Sequence, residues 1–258
     1  EGHLLTFAAG MASAGLLPVV SIYSTFLQRA MDQLVHDVCM QDLHVILAID
    51  RAGLVGEDGE THHGVLDLPW TRAIPNLNVM APRDLEDLKW IYREALEASS
   101  PLAIRLPRGA APASICREGN TPRQAWGRAE RVLEGTGWCL FSYGATVPLA
   151  LSVYDEAERM GFEPPSVYDL RFLKPLDVDA VEGALRTHPF AVVLEDGNIE
   201  GGIGEKISLI ANRRKITSCM TCQGVPDRFI PHGTVREQWE HCGLVPEEVL
   251  KLYEAFKG

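Results

Sequence analysis

The 258-residue sequence has no basic stripe, no long apolar run and few cysteines. Each shortage excludes something. Thirty-five acidic residues outweigh 24 lysines and arginines, giving a formal charge of −11. No segment gathers the positive charge that a nucleic-acid backbone demands, so nucleic acid is not an expected partner. The longest membrane-like stretch, Gly15 to Leu27, is too short to span a bilayer and is broken by Pro18, Ser21, Ser24 and Thr25. No charged-then-apolar leader pattern opens the sequence, and no membrane partner is expected. The six cysteines (Cys39, Cys116, Cys139, Cys219, Cys222 and Cys242) are too sparse for a disulfide framework. Most sit in apolar stretches such as Trp138-Cys139-Leu140, as buried thiols of a cytoplasmic protein would. Internal repeats and low-complexity tracts are also missing. What remains, 46% hydrophobic and 23% charged, is ordinary globular composition, and the length favours two modest domains.

Helical and strand-like patterns alternate almost throughout. Leu4 to Leu16 reads as an Ala- and Gly-rich packed helix, and Pro18 to Ile22 as a short buried strand. Ser24 or Thr25 is placed to cap a helix whose apolar positions are Phe26, Ala30, Leu34 and Val38. Val45 to Ile49 is a second strand, followed by a glycine-rich loop from Arg51 to Gly64. Leu77 to Met80 and Ala103 to Leu106 are further strands, separated by a helix that Asp84 caps. Periodicity then lapses, which marks a linker at 116–130 between domains at 1–115 and 131–258. In the second half, strands are expected at Trp138–Ser142, Ser166–Tyr168, Phe190–Leu194 and Ile216–Cys219, again alternating with helices. The fold class that follows is α/β, with two open, mostly parallel, three-layer domains.

Open parallel sheets bind ligands beyond the carboxyl ends of their strands. Three such ends carry reactive side chains: Tyr23 to Phe26 with Arg29, Asp50-Arg51, and Pro107-Arg108. The loop after the second strand adds Glu57, Asp58, His62 and His63. Singly, each has a bland reading as a turn or a solvated loop residue. Together, three arginines and a histidine at one sheet edge suit a phosphorylated substrate.

The order Glu1-Gly2-His3, Thr6 to Gly10, Ile22-Tyr-Ser-Thr-Phe-Leu-Gln-Arg29, Asp32-Gln33, Ile49-Asp-Arg-Ala-Gly53, Gly56-Glu-Asp-Gly-Glu-Thr-His62 and Arg105-Leu-Pro-Arg-Gly109 resembles the 1-deoxy-D-xylulose-5-phosphate synthase family, thiamine diphosphate enzymes of the transketolase superfamily. Asp169 to Asp177, Glu195 to Gly204 and Gly224 to Gly233 are similar to that family's C-terminal domain. The resemblance implies an N-terminally truncated pyrimidine-binding domain followed by a transketolase C-terminal domain, and a homodimer. It implies condensation of pyruvate with D-glyceraldehyde 3-phosphate, with loss of CO2, toward isoprenoid precursors. Glu1 matches the glutamate that drives cofactor tautomerisation, and His62 the histidine near the reacting carbon. Phe26 matches the aromatic that stacks on the pyrimidine, with Tyr23 and Arg29 beside it. Arg51, Asp58 and Arg108 match acceptor-site residues, while His63 matches nothing and reads as a loop residue. Gly2 and Leu106 depart from the family's usual Gln and Tyr.

The family's diphosphate and Mg2+ motif, Gly-Asp-Gly with a downstream Asn, is absent. Glu195-Asp196-Gly197-Asn198 imitates it without the preceding glycine or the spacing, and reads as a turn at a strand end. The sequence starts at Glu1 rather than Met, so a fragment is expected, inactive without the missing N-terminal domain. Cys219 and Cys222 have metal-site spacing but no second pair, and no metal ligands are assigned. Gly201-Gly202-Ile203-Gly204 hints only weakly at a phosphate loop, and the C-terminal domain is expected mainly to support dimer packing. The alternatives are a transketolase, the β half of a 2-oxo acid dehydrogenase, and a non-catalytic assembly half.

Overall fold

The computed structural model describes residues 1–112, 114–115 and 125–258. Helix α1 (Gly2–Ser13) leads to strand β1 (Val19–Tyr23), then to helix α2 (Ser24–Leu27). A 3₁₀ turn (Gln28–Ala30), a short α3 (Met31–Gln33) and a π-helical stretch (Leu34–Cys39) continue it. Next come β2 (Ile46–Ala52), α4 (Asp67–Ala73), β3 (Asn78–Met80), α5 (Leu85–Glu97) and β4 (Leu102–Pro107). The second half contains β5 (Glu130–Leu133), β6 (Trp138–Ser142), α6 (Thr146–Met160), β7 (Ser166–Asp169), β8 (Phe172–Lys174) and α7 (Val178–Thr187). It ends with β9 (Phe190–Asn198), α8 (Ile203–Arg213), β10 (Cys219–Val225), α9 (Val235–His241) and α10 (Pro246–Lys257).

Two five-stranded sheets result, in the orders β1-β2-β4-β3-β8 and β10-β9-β6-β7-β5. Pairing is parallel except at two edges, where β8 runs against β3 and β5 against β7. Parallel strands covered on both faces need continuous apolar runs, and Ile46 to Ile49 and Trp138 to Ser142 are buried throughout. The α/β class with mostly parallel sheets is therefore the observed one. Strand β8 belongs to the second half of the sequence but completes the first sheet. One continuous core cluster runs from Leu5 and Leu47 in the first layer to Phe141, Val193 and Ile207 in the second. Of the linker expected at 116–130, residues 116–124, with Cys116, lie outside the described residues; residues 125–129 lead into β5.

Local chemistry accounts for the element ends. The Asp84 carboxylate accepts the Asp87 N–H at 2.8 Å and caps α5, as expected. Thr234 and Glu237 form a reciprocal capping box on α9, and Gly161 closes α6 in the left-handed conformation. Several expectations fail. Tyr23, not Ser24 or Thr25, occupies the N-cap of α2, and Thr25 instead donates to the Thr61 carbonyl at 3.3 Å. Strand β1 is half exposed because it lies at a sheet edge. The last strand spans Cys219–Val225 rather than Ile216–Cys219. Glu195 to Asn198 lie within β9, not in a turn.

Candidate active site

Strands β1, β2 and β4 are neighbours, and their registers bring the anticipated strand ends into one row. Tyr23 stands beside Asp50, and Asp50 beside Leu106. Beyond that row the backbone is tightly folded. Gly53 and Gly64 bridge to each other at 2.8 Å in both directions, drawing the loop between them back onto the sheet edge. A methyl group on Gly64 would lie 2.3 Å from the Arg51 carbonyl oxygen and 2.6 Å from Ser24 Cβ. Arg51 itself adopts φ 56, a left-handed conformation that costs a non-glycine residue about 1–2 kcal/mol.

All eight anticipated site residues fall into one chain of contacts. Glu1 lies 3.7 Å from the Arg29 guanidinium, which sits 5.0 Å above the Phe26 ring. Phe26 stacks on Tyr23 with centroids 5.7 Å apart, and the edge of His62 meets Phe26 at 5.5 Å. The Arg51 guanidinium covers the other aromatic, 4.3 Å from the Tyr23 centroid. Arg51 is paired with Asp58, and Arg108 reaches the same carboxylate at 3.5 Å while donating to the Val55 carbonyl. His62 Nδ1 lies 2.8 Å from Thr61 Oγ1, which leaves Nε2 for another partner. Tyr23, Phe26, Arg51, Asp58 and His62 are half-buried, whereas Glu1, Arg29 and Arg108 are exposed. The arrangement combines an aromatic shelf, one carboxylate at its end, and two arginines sharing a second carboxylate. A flat heteroaromatic and a phosphate are the ligand chemistries it suits.

His63 is not a solvated loop residue. It is buried; its Nδ1 accepts the Val55 N–H at 3.2 Å, and its Nε2 donates to the Ile230 carbonyl at 2.9 Å. Burial pushes its pKa below the usual histidine value. Gln238, absent from any motif, holds Gly56 from the opposite side. Nothing in the sequence separates Gln238 from an ordinary helix-face polar residue.

The transketolase pyrimidine-binding domain model matches residues 1–113, and the transketolase C-terminal domain model matches residues 127–249. This chain belongs to the transketolase family. A 1-deoxy-D-xylulose-5-phosphate synthase of Chlorobium luteolum is 44% identical over 98% of the chain and 40% of its own length. One from Carboxydothermus hydrogenoformans is 42% identical over all of the chain and 40% of its own. The transketolase-type chain thus spans about two fifths of the length of these relatives. Among solved structures, a split-gene transketolase described as an inactive β4 tetramer superposes with a TM-score of 0.86 at 27% identity. That match covers 97% of this chain and 80% of the other. Campylobacter jejuni transketolase shares the fold, with a TM-score of 0.78 at 20% identity over 99% of this chain and 38% of its own.

Elsewhere in this transketolase-type chain, motif look-alikes have structural roles. The Glu195 carboxylate accepts the N–H groups of Ile203 and Gly204 at 2.7 and 3.0 Å, so the chain's own carboxylate fills the anion position at the start of α8. Desolvation raises its pKa to about 7, against the pull of those two N–H groups and of Arg72. Asp196 pairs with Arg105 at 2.7 Å. Cys219 and Cys222 are free thiols on edge strand β10, the former exposed, and burial lifts Cys222 to about 11. Among the described residues no cluster of three His, Cys, Asp or Glu is placed to hold a metal ion. Nor is any described helix long and apolar enough to cross a membrane.

Proposed function

We propose that this chain is the part of a 1-deoxy-D-xylulose-5-phosphate synthase that holds the aminopyrimidine end of thiamine diphosphate and the acceptor substrate. The proposed reaction condenses pyruvate with D-glyceraldehyde 3-phosphate and releases CO2. What carries this assignment is the convergence of Arg51 and Arg108 on Asp58, one aromatic layer away from Phe26 and His62. Identity of 40% or more along the whole chain to such synthases supports the same choice over other transketolase-type reactions.

The residues present fit the aminopyrimidine. Phe26 offers a half-buried ring, and Glu1 stands within 3.7 Å of the Arg29 guanidinium at one end of the shelf. What thiamine diphosphate supplies when bound is an acidic thiazolium carbon that stores the electron pair left by decarboxylation. Glu1 would accept a hydrogen bond from the pyrimidine ring nitrogen, and Tyr23 and Arg29 would keep Phe26 oriented for stacking. His62 Nε2 would give or take the proton at the substrate oxygen. Arg51 and Arg108 would hold the aldehyde's phosphate through charge-assisted hydrogen bonds, and Asp58 would orient both guanidinium groups and a substrate hydroxyl. The diphosphate and Mg2+ would be held by a separate domain that this chain must meet to act. On its own the chain is then inactive, as the split-gene transketolase tetramer is described to be. The cytoplasm is the proposed location, and a homodimer the proposed assembly.

The test is CO2 release from pyruvate by this chain combined with an upstream synthase segment, thiamine diphosphate and Mg2+, with and without the aldehyde. Aldehyde-dependent release with formation of a five-carbon phosphate is expected. Release indifferent to the aldehyde would overturn the substrate assignment. The near-complete match to the split-gene transketolase chain supports a second reading, a separately encoded transketolase half, which the same assay with a ketose phosphate in place of pyruvate would detect by ketol transfer to the aldehyde without CO2.

A further inference from the structure

Resting on the reading of the Gly56–His62 loop as the aldehyde site, we infer that Gln238 is a positioning residue, and that α9 sets the geometry of the acceptor site from the far sheet's layer. Gln238 is 2% exposed, and its carboxamide is mated to the peptide groups of one loop glycine. Its Oε1 accepts the Gly56 N–H at 2.9 Å, and its Nε2 donates to the Gly56 carbonyl at 3.0 Å and to the Pro231 carbonyl at 2.9 Å. An uncharged side chain that accepts once and donates twice is required here. Glutamate cannot donate when ionised, and methionine does neither.

The backbone is shaped for this approach. Gly56 takes φ +75, and a Cβ there would sit 3.2 Å from Val235 Cγ2 and 3.3 Å from the Val235 nitrogen. A Cβ on Gly59, at φ +71, would sit 3.0 Å from His232 Cβ. At the other end of the loop His63 donates to Ile230. Residues 230–238 thus grip the loop at both ends and in the middle. Between the grips stand Asp58, which gathers Arg51 and Arg108, and His62. The capping box at Thr234 and Glu237 fixes the turn of α9 that presents Gln238. Helix α9 makes no contact with Glu1, Arg29 or Phe26 through any of these bonds, so its effect falls on the acceptor half of the reaction and not on the cofactor half.

The experiment has two arms. In the 258-residue chain, amide hydrogen exchange is followed over residues 54–64 in Gln238→Met, which keeps the length and loses the hydrogen bonds, and in Gln238→Glu. Exchange there should quicken about tenfold or more in both, with β6 and β9 unchanged. No change over 54–64, or an equal rise throughout β9 and α10, would overturn the inference. Should neither variant fold, the unaltered chain still decides: Gly56 must exchange far more slowly than exposed Glu57, and equal rates would refute the grip. In the assembled enzyme, Gln238→Met should raise the KM for glyceraldehyde 3-phosphate about fivefold or more and leave the KM for pyruvate unchanged. A fall in kcat with both KM values unchanged would refute positioning. Absence of any five-carbon phosphate from the unaltered assembly would overturn the proposed reaction, while the exchange arm would still decide the role of Gln238.

Discussion

Arg105 of β4 and Asp196 of β9 meet at 2.7 Å between the two sheets, both buried. The same guanidinium makes two further hydrogen bonds to Asp67, at 2.8 and 3.0 Å, so one cation satisfies a carboxylate from each layer. The two anions hold its pKa well above the usual arginine value, overcoming the desolvation that would lower it. Removing one partner from such a set leaves buried charge uncompensated, at about 3–5 kcal/mol. Arg105→Met should therefore lower the urea midpoint steeply. An unchanged midpoint would mean that water reaches Asp67 and Asp196.

Gly64 should tolerate no side chain at all. A Cβ placed there meets the Arg51 carbonyl oxygen at 2.3 Å and Ser24 at 2.6 Å, and backbone cannot step aside as a flexible side-chain end can. Gly64→Ala is expected to cost at least about 3 kcal/mol, or to open the Gly53–Gly64 bridge and release the loop. Thermal unfolding reads the first outcome and near-ultraviolet dichroism of Tyr23 the second. A variant normal in both would contradict this backbone path.

How legible is all this in the sequence? The ends of β1, β2 and β4 are readable because aliphatic runs reach Ile22, Ile49 and Ile104, and Tyr23-Ser24, Asp50-Arg51 and Pro107-Arg108 follow within a few residues. Parallel pairing then places Tyr23, Asp50 and Leu106 in a row, as the position of ligand sites in open sheets anticipates. Helix α5 is readable from Asp84 and a clean apolar spacing. Strand β8 is not, since three residues carry no period, and its partner Val79 lies far back in the chain. Helix α4 is seven residues long with Pro69 inside it. Glu195 and Asp196 imitate a metal motif because acidic residues beside glycines look alike whether they meet a metal, a helix start or an arginine. Gln238 and His63 act through pairings of high sequence separation, which no local pattern encodes.

Glu195 gives stability a definite dependence on pH. Its folded pKa is raised from 4.5 to about 7, so the folded state binds the proton more tightly than the unfolded one. The associated stability is complete below pH 4.5 and is lost as pH rises through about 7, on the order of 3 kcal/mol in all. His63 works in the opposite direction. Its lowered pKa gives stability present above pH 6.5 and lost as pH falls. The His63 contribution is common to wild type and Glu195→Gln and cancels in their difference. The stability of Glu195→Gln relative to wild type should accordingly rise between pH 4.5 and 7 and level off on either side. A flat difference, measured by urea titration, would show that the N–H groups of Ile203 and Gly204 keep Glu195 ionised throughout.

Asp58 should restrain anion binding at the site it helps to build. Its carboxylate is shared by Arg51 and Arg108, so an incoming phosphate competes with it for the same donors. All three side chains reach solvent, and screening keeps each pairing at about 1 kcal/mol. Asp58→Asn keeps the size and one acceptor oxygen but removes the charge, and should tighten binding of inorganic phosphate to the chain about fivefold. Arg51→Met and Arg108→Met should each weaken binding about tenfold, because a charge-assisted hydrogen bond to phosphate is lost. Calorimetric titration at low salt distinguishes the cases, and raising the salt should shrink all three effects together. Phosphate binding that weakens in Asp58→Asn would mean that the carboxylate organises the two arginines more than it competes for them. In that event the acceptor site depends on Asp58 for its shape, and Asp58→Asn should behave like the arginine variants in turnover as well.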